Sequence, residues 1–177
     1  ARKDYGMRHL CLSGGVALNC SMNGQIERSH IFDEIFVQPA SGDAGLAIGA
    51  CYLAQRARDP QYKPRKSHNY YLHGAFTAAE MEAALKQAGV NYTRPADLYA
   101  ATADRLAAGK VIGWYQGGAE FGPRALGNRS ILAKPYPESM RDHINDNVKF
   151  REYFRPLAPA CLKEYLHEYF DIGQESP

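Results

Sequence analysis

Arg8-His-Leu-Cys-Leu-Ser-Gly-Gly-Val-Ala-Leu-Asn19 runs from an apolar segment through a double glycine into a segment with helical spacing. Residues 8–12 have the length and character of a short strand. Ser13-Gly14-Gly15 turns the chain, and Val16 to about Ser29 has helix-like composition, with Val16, Met22 and Ile26 as core positions. Ile35-Phe36-Val37 is predicted as a second buried strand, ended by Pro39. Ser41-Gly42-Asp43 then precedes a helix over about residues 44–57, which starts with the small apolar run Ala44-Gly-Leu-Ala-Ile-Gly-Ala50. Strand, loop, helix, strand, loop and helix in that order predict a parallel α/β unit.

From Arg58 to Ser67 the chain turns polar, carries two prolines and loses its periodicity. Residues 59–67 read as a linker between a segment at 1–58 and a second one at 68–177. In the second, Tyr70-Tyr-Leu72 and Val90–Thr93 are strand-like. Thr77-Ala-Ala-Glu80 is a capping box that opens a helix to about Ala88. Another helix is predicted from about Ala96 to Ala108, stopped by Gly109. Val111-Ile-Gly-Trp-Tyr115 is a strong apolar strand and Ile131-Leu-Ala133 a further one. Helices are expected over Glu138–Asn147 and Leu162–Phe170. This half is α/β or α+β.

A length of 177 residues suits one domain or two small ones. The net charge of +2 is too small to argue for nucleic acid as the main partner, so any basic site must be local. Cys11, Cys20, Cys51 and Cys161 form no CxxC pair, and reduced thiols in a cytoplasmic protein are expected. No apolar run approaches the roughly 20 residues of a membrane span, and no signal peptide is read. The chain starts without methionine just before its first strand and stops without a terminal element, so it reads as a piece of a longer protein.

Three sites stand out. A double glycine between strand and helix, as at Gly14-Gly15 with Asn19 following, brings backbone N–H groups and a helix dipole together. It suits a nucleotide's phosphates or ribose, and it equally suits a tight turn that binds nothing. Asp43, in Ser41-Gly-Asp-Ala-Gly45, is placed to cap the following helix or to hold a metal at the carboxyl edge of a parallel sheet. The third is Glu120-Phe-Gly-Pro-Arg-Ala-Leu-Gly-Asn-Arg-Ser-Ile-Leu132, with Asn145-Asp-Asn-Val-Lys149-Phe-Arg151-Glu-Tyr-Phe-Arg155-Pro after it. Guanidinium forks grip phosphate or carboxylate, and glycine allows close backbone approach. These segments read as an oxyanion site, in which Arg155 sits in an apolar setting that calls for a partner. The opposing reading is a solvated loop and a charged helix face balanced by Glu138, Asp142, Asp146 and Glu152. The six histidines show no i, i+4 pairing and read as surface or packed residues.

Taken in order, Gly14–Asn19, Gly42-Asp43-Ala-Gly45 with Ile48-Gly-Ala50, Glu120–Ser130, Asn145, Val148-Lys149, Arg151-Glu152 and Phe154–Pro159 resemble the O-carbamoyltransferases of the NodU/CmcH/TobZ type. That family includes nodulation proteins and antibiotic-tailoring enzymes. The resemblance implies that residues 1–58 are the tail of an actin/sugar-kinase-like ATPase domain and that 68–177 are most of a YrdC-like α/β domain. It implies that carbamoyl phosphate is hydrolysed to carbamate and joined to AMP from ATP, releasing pyrophosphate. The carbamoyl-adenylate then carbamoylates an acceptor hydroxyl, on a lipochitooligosaccharide sugar or an antibiotic. Gly14, Gly15 and Asn19 match the family's adenylate-binding turn, and Asp43 its metal-ligand aspartate, for iron or a similar divalent ion. Arg124, Arg129, Lys149 and Arg155 match its basic positions, with Ser130 and Arg151 counted among the phosphate-binding residues. Arg124, Lys149 and Arg155 are the expected catalytic set.

The resemblance also implies Mg2+ with the ATP, histidine metal ligands upstream of this chain, and partnership with a missing N-terminal half. The 177-residue chain alone is expected not to carbamoylate an acceptor. Two other readings predict different ligands: a threonylcarbamoyl-AMP synthase of tRNA modification would bind threonine, and a nucleic-acid-binding module would show steep salt dependence.

Overall fold

The structure is a computed structural model that describes residues 2–64 and 69–173. Part of the predicted linker (65–67), His68 and the last four residues therefore lie outside the described residues. The chain divides into two compact units. Unit 1 comprises the described residues of Ala1–His73, Gly118–Leu126 and His167–Pro177; unit 2 comprises Gly74–Gly117 and Gly127–Leu166. The mixed α/β class is the one expected from sequence.

Unit 1 begins with α1 (Arg2–Tyr5) and β1 (His9–Leu12). A 3-10 turn over Gly15–Leu18, α2 (Cys20–Arg28), β2 (Glu34–Val37) and α3 (Ala44–Arg58) follow. β1 and β2 pair in parallel, with Leu10 opposite Ile35 and Leu12 opposite Val37. Those four side chains share one sheet face, where Ile35 is buried; His9, Cys11, Glu34 and Phe36 line the other, exposed face. The strand predicted as buried is thus covered on one side only.

The single helix expected from Val16 to Ser29 is two elements. Asn19 ends the 3-10 turn and caps α2, its Oδ1 accepting the Met22 N–H at 3.1 Å. The tighter winding of residues 15–18 turns Ala17 inward and leaves Val16 73% exposed, so Ala17 replaces Val16 in the core. Ala40, in the loop after β2, is the third buried apolar residue among those described in this unit.

Unit 2 contains α4 (Ala78–Gln87) and α5 (Leu98–Ala107). After them come β3 (Ile112–Tyr115), β4 (Arg129–Leu132) and α6 (Ser139–Asn147). The capping box at the start of α4 forms as predicted: Thr77 Oγ1 accepts the Glu80 N–H, and Glu80 accepts the Thr77 N–H. Asp97 caps α5 through the N–H groups of Tyr99 and Ala100. β3 and β4 are antiparallel, with Trp114 opposite Ser130 and Tyr115 opposite Arg129. Ile144, on α6, is the buried apolar residue of this unit among those described. A 3-10 turn at Lys163–Tyr165 and α7 (Leu166–Tyr169) replace the predicted last helix.

Two predicted strands do not form. The segment from Tyr70 to His73 makes two backbone bonds in unit 1, Phe121 N–H to Tyr70 O at 2.7 Å and His73 N–H to Ala119 O at 3.4 Å, too few for a ladder. Val90–Thr93 has no partner strand among the described residues; Tyr92 instead donates its hydroxyl to Glu82 at 2.6 Å.

Candidate functional site

In unit 1 the loops that leave the carboxyl ends of the paired parallel strands meet. This edge is where open α/β folds gather ligands. Gly14, past β1, donates its N–H to the Ser41 carbonyl, past β2, at 2.7 Å. The Ser41 side chain is buried, and its Oγ has no hydrogen-bond partner among the described residues. A third strand of chain closes over this junction. Gly122 has φ +128, and a Cβ there would lie 2.8 Å from the Pro39 carbonyl oxygen, so an L side chain meets both strain and a clash. Two residues on, Arg124 Nη2 donates to the Leu18 carbonyl at 3.2 Å. Glu120 braces the same loop by accepting the Leu126 N–H at 2.7 Å.

The predicted nucleotide-turn residues Gly14, Gly15 and Asn19 are therefore beside Arg124, which the sequence had grouped with Arg129 and Lys149. The Gly14 amide and Asn19 Oδ1 are both engaged locally. Asp43 stands at the N-cap position of α3, exposed, and makes no side-chain capping bond. The capping role open to it in the sequence is not the one it plays here. No group of three His, Cys, Asp or Glu side chains that could hold a metal ion assembles among the described residues, and Asp43 supplies a single carboxylate.

Arg129 and Ser130 belong to unit 2. Arg129 opens β4, and its guanidinium lies over the Tyr115 ring, 3.4 Å from the centroid. Nη1 donates to the Gln116 carbonyl at 2.6 Å and Nη2 to that of Gly117 at 3.0 Å. Ser130 Oγ accepts the Gly127 N–H at 3.1 Å. Both side chains thus fasten the turn that enters β4.

The other basic residues follow α6. Lys149 is exposed, with its amide on the Ile144 carbonyl at 2.8 Å and no ion-pair partner among the described residues. Arg155 pairs with Glu152 at 3.4 Å, with both side chains about half exposed, a geometry that holds little energy in water. The apolar setting expected around Arg155 is open, since Phe154 is 68% exposed. Arg151 donates Nε to Asn145 Oδ1 at 2.8 Å and Nη2 to the Pro156 carbonyl at 3.2 Å. Of the predicted acidic counterparts, Glu138 and Asp142 bind Arg141 rather than this loop, and their contact, that of Asp142 first, holds the Arg141 guanidinium above its ordinary pKa. An open cavity of about 390 Å³ lies against Asp146, Phe150, Arg151 and Glu152.

Glu120 and Asn145 stand in the stretches singled out from the sequence but had no individual role there. Asn145 carried a signal: a carboxamide beside Ile144, at a position where α6 turns inward. All four cysteines are free and exposed. No helix is long and apolar enough to cross a membrane among the described residues.

The model of the carbamoyltransferase N-terminus matches residues 1–52, and that of the carbamoyltransferase C-terminus matches residues 103–177. The nodulation protein NolO of Bradyrhizobium diazoefficiens is 46% identical over 174 residues, which are 97% of this chain and 32% of that protein. An uncharacterized protein of Synechocystis sp. is 45% identical over 185 residues, 99% of this chain and 30% of its own length. The 3'-hydroxymethylcephem-O-carbamoyltransferase of Streptomyces clavuligerus is 38% identical over 170 residues, 95% of this chain and 31% of that enzyme. The chain thus spans about a third of the length of these relatives. Carrying the N-terminal and C-terminal matches in their natural order, it belongs to the carbamoyltransferase family.

Proposed function

We propose that the protein to which this chain belongs is an ATP-dependent O-carbamoyltransferase. The supporting observation is the ordered match of both family halves, with relatives that include a named cephem carbamoyltransferase. In this reading residues 1–58 end an actin-like ATPase domain and 68–177 form a YrdC-like domain. Water hydrolyses carbamoyl phosphate to carbamate and phosphate, carbamate and ATP give carbamoyl-adenylate and pyrophosphate, and the carbamoyl group then passes to a hydroxyl of a sugar or antibiotic acceptor, releasing AMP.

The chain's own contribution is charge and backbone. Carbamoyl phosphate concentrates negative charge, and attack at its carbonyl or at the ATP α-phosphate builds more. Lys149 and Arg155 offset that charge as fixed cations, without a covalent intermediate. Arg129 and Ser130 of unit 2 extend that phosphate-handling set, with Arg151 shaping the loop that carries it; in unit 1, Arg124 serves the adenylate turn formed by Gly14, Gly15 and Asn19. Mg2+ accompanies ATP. Asp43 would serve as one ligand of an iron-type ion that polarises the carbamoyl group, its other ligands coming from the N-terminal half of the protein.

Calorimetry tests this directly. The chain is expected to bind carbamoyl phosphate and ATP but not threonine, and Lys149→Ala and Arg155→Ala each to weaken carbamoyl phosphate by about tenfold. Threonine binding, or affinities untouched by both substitutions, would reject the assignment. By itself the chain is expected to show no acceptor carbamoylation.

A further inference from the structure

Asn145 has no part in the chemistry above, yet it is the most deeply buried large side chain described, at 0% exposure. Both polar atoms of its carboxamide are bonded. Nδ2 donates to the carbonyls of Tyr153 at 3.1 Å and Arg155 at 3.0 Å, and Oδ1 accepts Arg151 Nε at 2.8 Å. Its backbone carbonyl accepts the Arg151 N–H at 3.0 Å. Arg151 continues the chain of bonds to the Pro156 carbonyl. One buried amide thus grips the 149–156 loop at three residues, one of them Arg155 itself. Asn147, two positions on, is exposed and its side chain bonds, among the described residues, within its own helical turn to His143.

The loop held this way carries Lys149 and Arg155, and it is not held by packing: Phe150, Tyr153 and Phe154 are 82%, 69% and 68% exposed. Its shape therefore rests on hydrogen bonds. The bonds demand a group with two donors and one acceptor at that reach, which among short side chains is asparagine. Aspartate would keep the acceptor for Arg151 but set a carboxylate oxygen against two carbonyls.

We infer that Asn145 is a positioning residue. It fixes the separation of Lys149 and Arg155 so that both cations meet one phosphate-bearing ligand, with Arg151 acting through it rather than on the ligand. The inference rests on the assignment of Lys149 and Arg155 to phosphate handling made above.

The test uses the 177-residue chain with Asn145→Ala, Asn145→Asp and Lys149→Ala, read by hydrogen exchange and by calorimetric titration with carbamoyl phosphate. Both Asn145 variants are expected to speed amide exchange across 149–156 by about tenfold while α4 and α5 keep their protection. Carbamoyl phosphate binding is expected to weaken by about tenfold, and Asn145→Ala combined with Lys149→Ala to lose less than about twofold more than Lys149→Ala alone. Unchanged exchange in the loop, unchanged affinity with a loosened loop, or full additivity would overturn the inference. If Asn145→Ala removes protection everywhere, Arg151→Gln replaces it. That variant leaves the Asn145 donors in place, and a loss of about threefold in affinity with faster exchange at 149–156 is the supporting result. No effect on either refutes the inference. Failure of the unsubstituted chain to bind carbamoyl phosphate would refute the phosphate assignment, and exchange would still decide whether Asn145 sets the loop.

Discussion

Two glycines of α3 are expected to respond to the same substitution with opposite signs. Gly45 lies in the first turn of the helix, and a Cβ built on it falls 2.1 Å from the Ala40 carbonyl oxygen and 3.2 Å from its carbon. The obstacle is backbone at a residue only 1% exposed, so it cannot swing aside as a side-chain tip would. Overpacking of this kind costs about 1–3 kcal/mol. Against it stands the helix-propensity gain of alanine over glycine, at most about 1 kcal/mol and smaller in a first turn. The clash wins, and Gly45→Ala is expected to destabilise by about 1–2 kcal/mol. Gly49, one turn further on, has nothing within 4 Å of its added Cβ. There only the propensity acts, and Gly49→Ala should stabilise by about 0.5–1 kcal/mol. Urea unfolding followed by far-UV circular dichroism reads both. With a slope of about 1–3 kcal/mol per molar, the two midpoints should lie about 1 M apart. Gly45→Ala unfolding at or above the midpoint of Gly49→Ala would show that the loop after β2 yields freely, and that its close seat on α3 is not a constraint.

Further outcomes follow from other local features. Asp97→Ala removes the acceptor of two α5 N–H groups and should cost about 1 kcal/mol in the same assay, with Asp97→Ser recovering most of it. Glu82 is held down to a pKa of about 2, by the Tyr92 hydroxyl first, then by Lys86 and Arg94. Its folded pKa lies below the unfolded value of about 4.3. The stability it contributes is therefore present above pH 4.3 and is lost as pH falls from there toward 2. Carboxyl NMR titration should show Tyr92→Phe moving the Glu82 pKa upward; an unmoved titration would discount the hydroxyl bond. Gly122→Ala should disturb the seat of residues 39–40 and speed exchange of the Gly14 amide, whose acceptor is the adjacent Ser41 carbonyl. An unchanged Gly14 exchange rate would separate the two loops.

Elements whose stabilising partners lie close along the chain were legible in the residue order. The α4 capping box joins residues three apart, and Gly109 ends the next helix with φ +78. The parallel pairing of β1 with β2 was legible because a strand–helix–strand order leaves few alternatives. The stretches Tyr70–Leu72 and Val90–Thr93 misled because strand character is a fit to a neighbouring strand: the first meets residues 119–121 through two backbone bonds only, and the second pairs with no strand among the described residues. Val16 misled because a 3-10 turn carries a different phase from the α-helix assumed for it.

By itself the sequence determined the family, the mixed α/β class and most helix ends, since motif order, periodicity and capping are all written in residue types at short spacing. Only the tertiary structure decided what each candidate site residue touches. Arg124 meets the Leu18 carbonyl across 106 positions, and Gly14 meets Ser41 from the next strand's loop. Nothing in the residue types at either end encodes such a meeting; it is set when strand pairing brings two loops to one edge. Asn145 shows the same division. The sequence marked it only as the first residue of the basic stretch and one position of the family resemblance, with no role of its own. Its burial, and the three loop residues that converge on its amide, exist only once the chain after α6 folds back onto it.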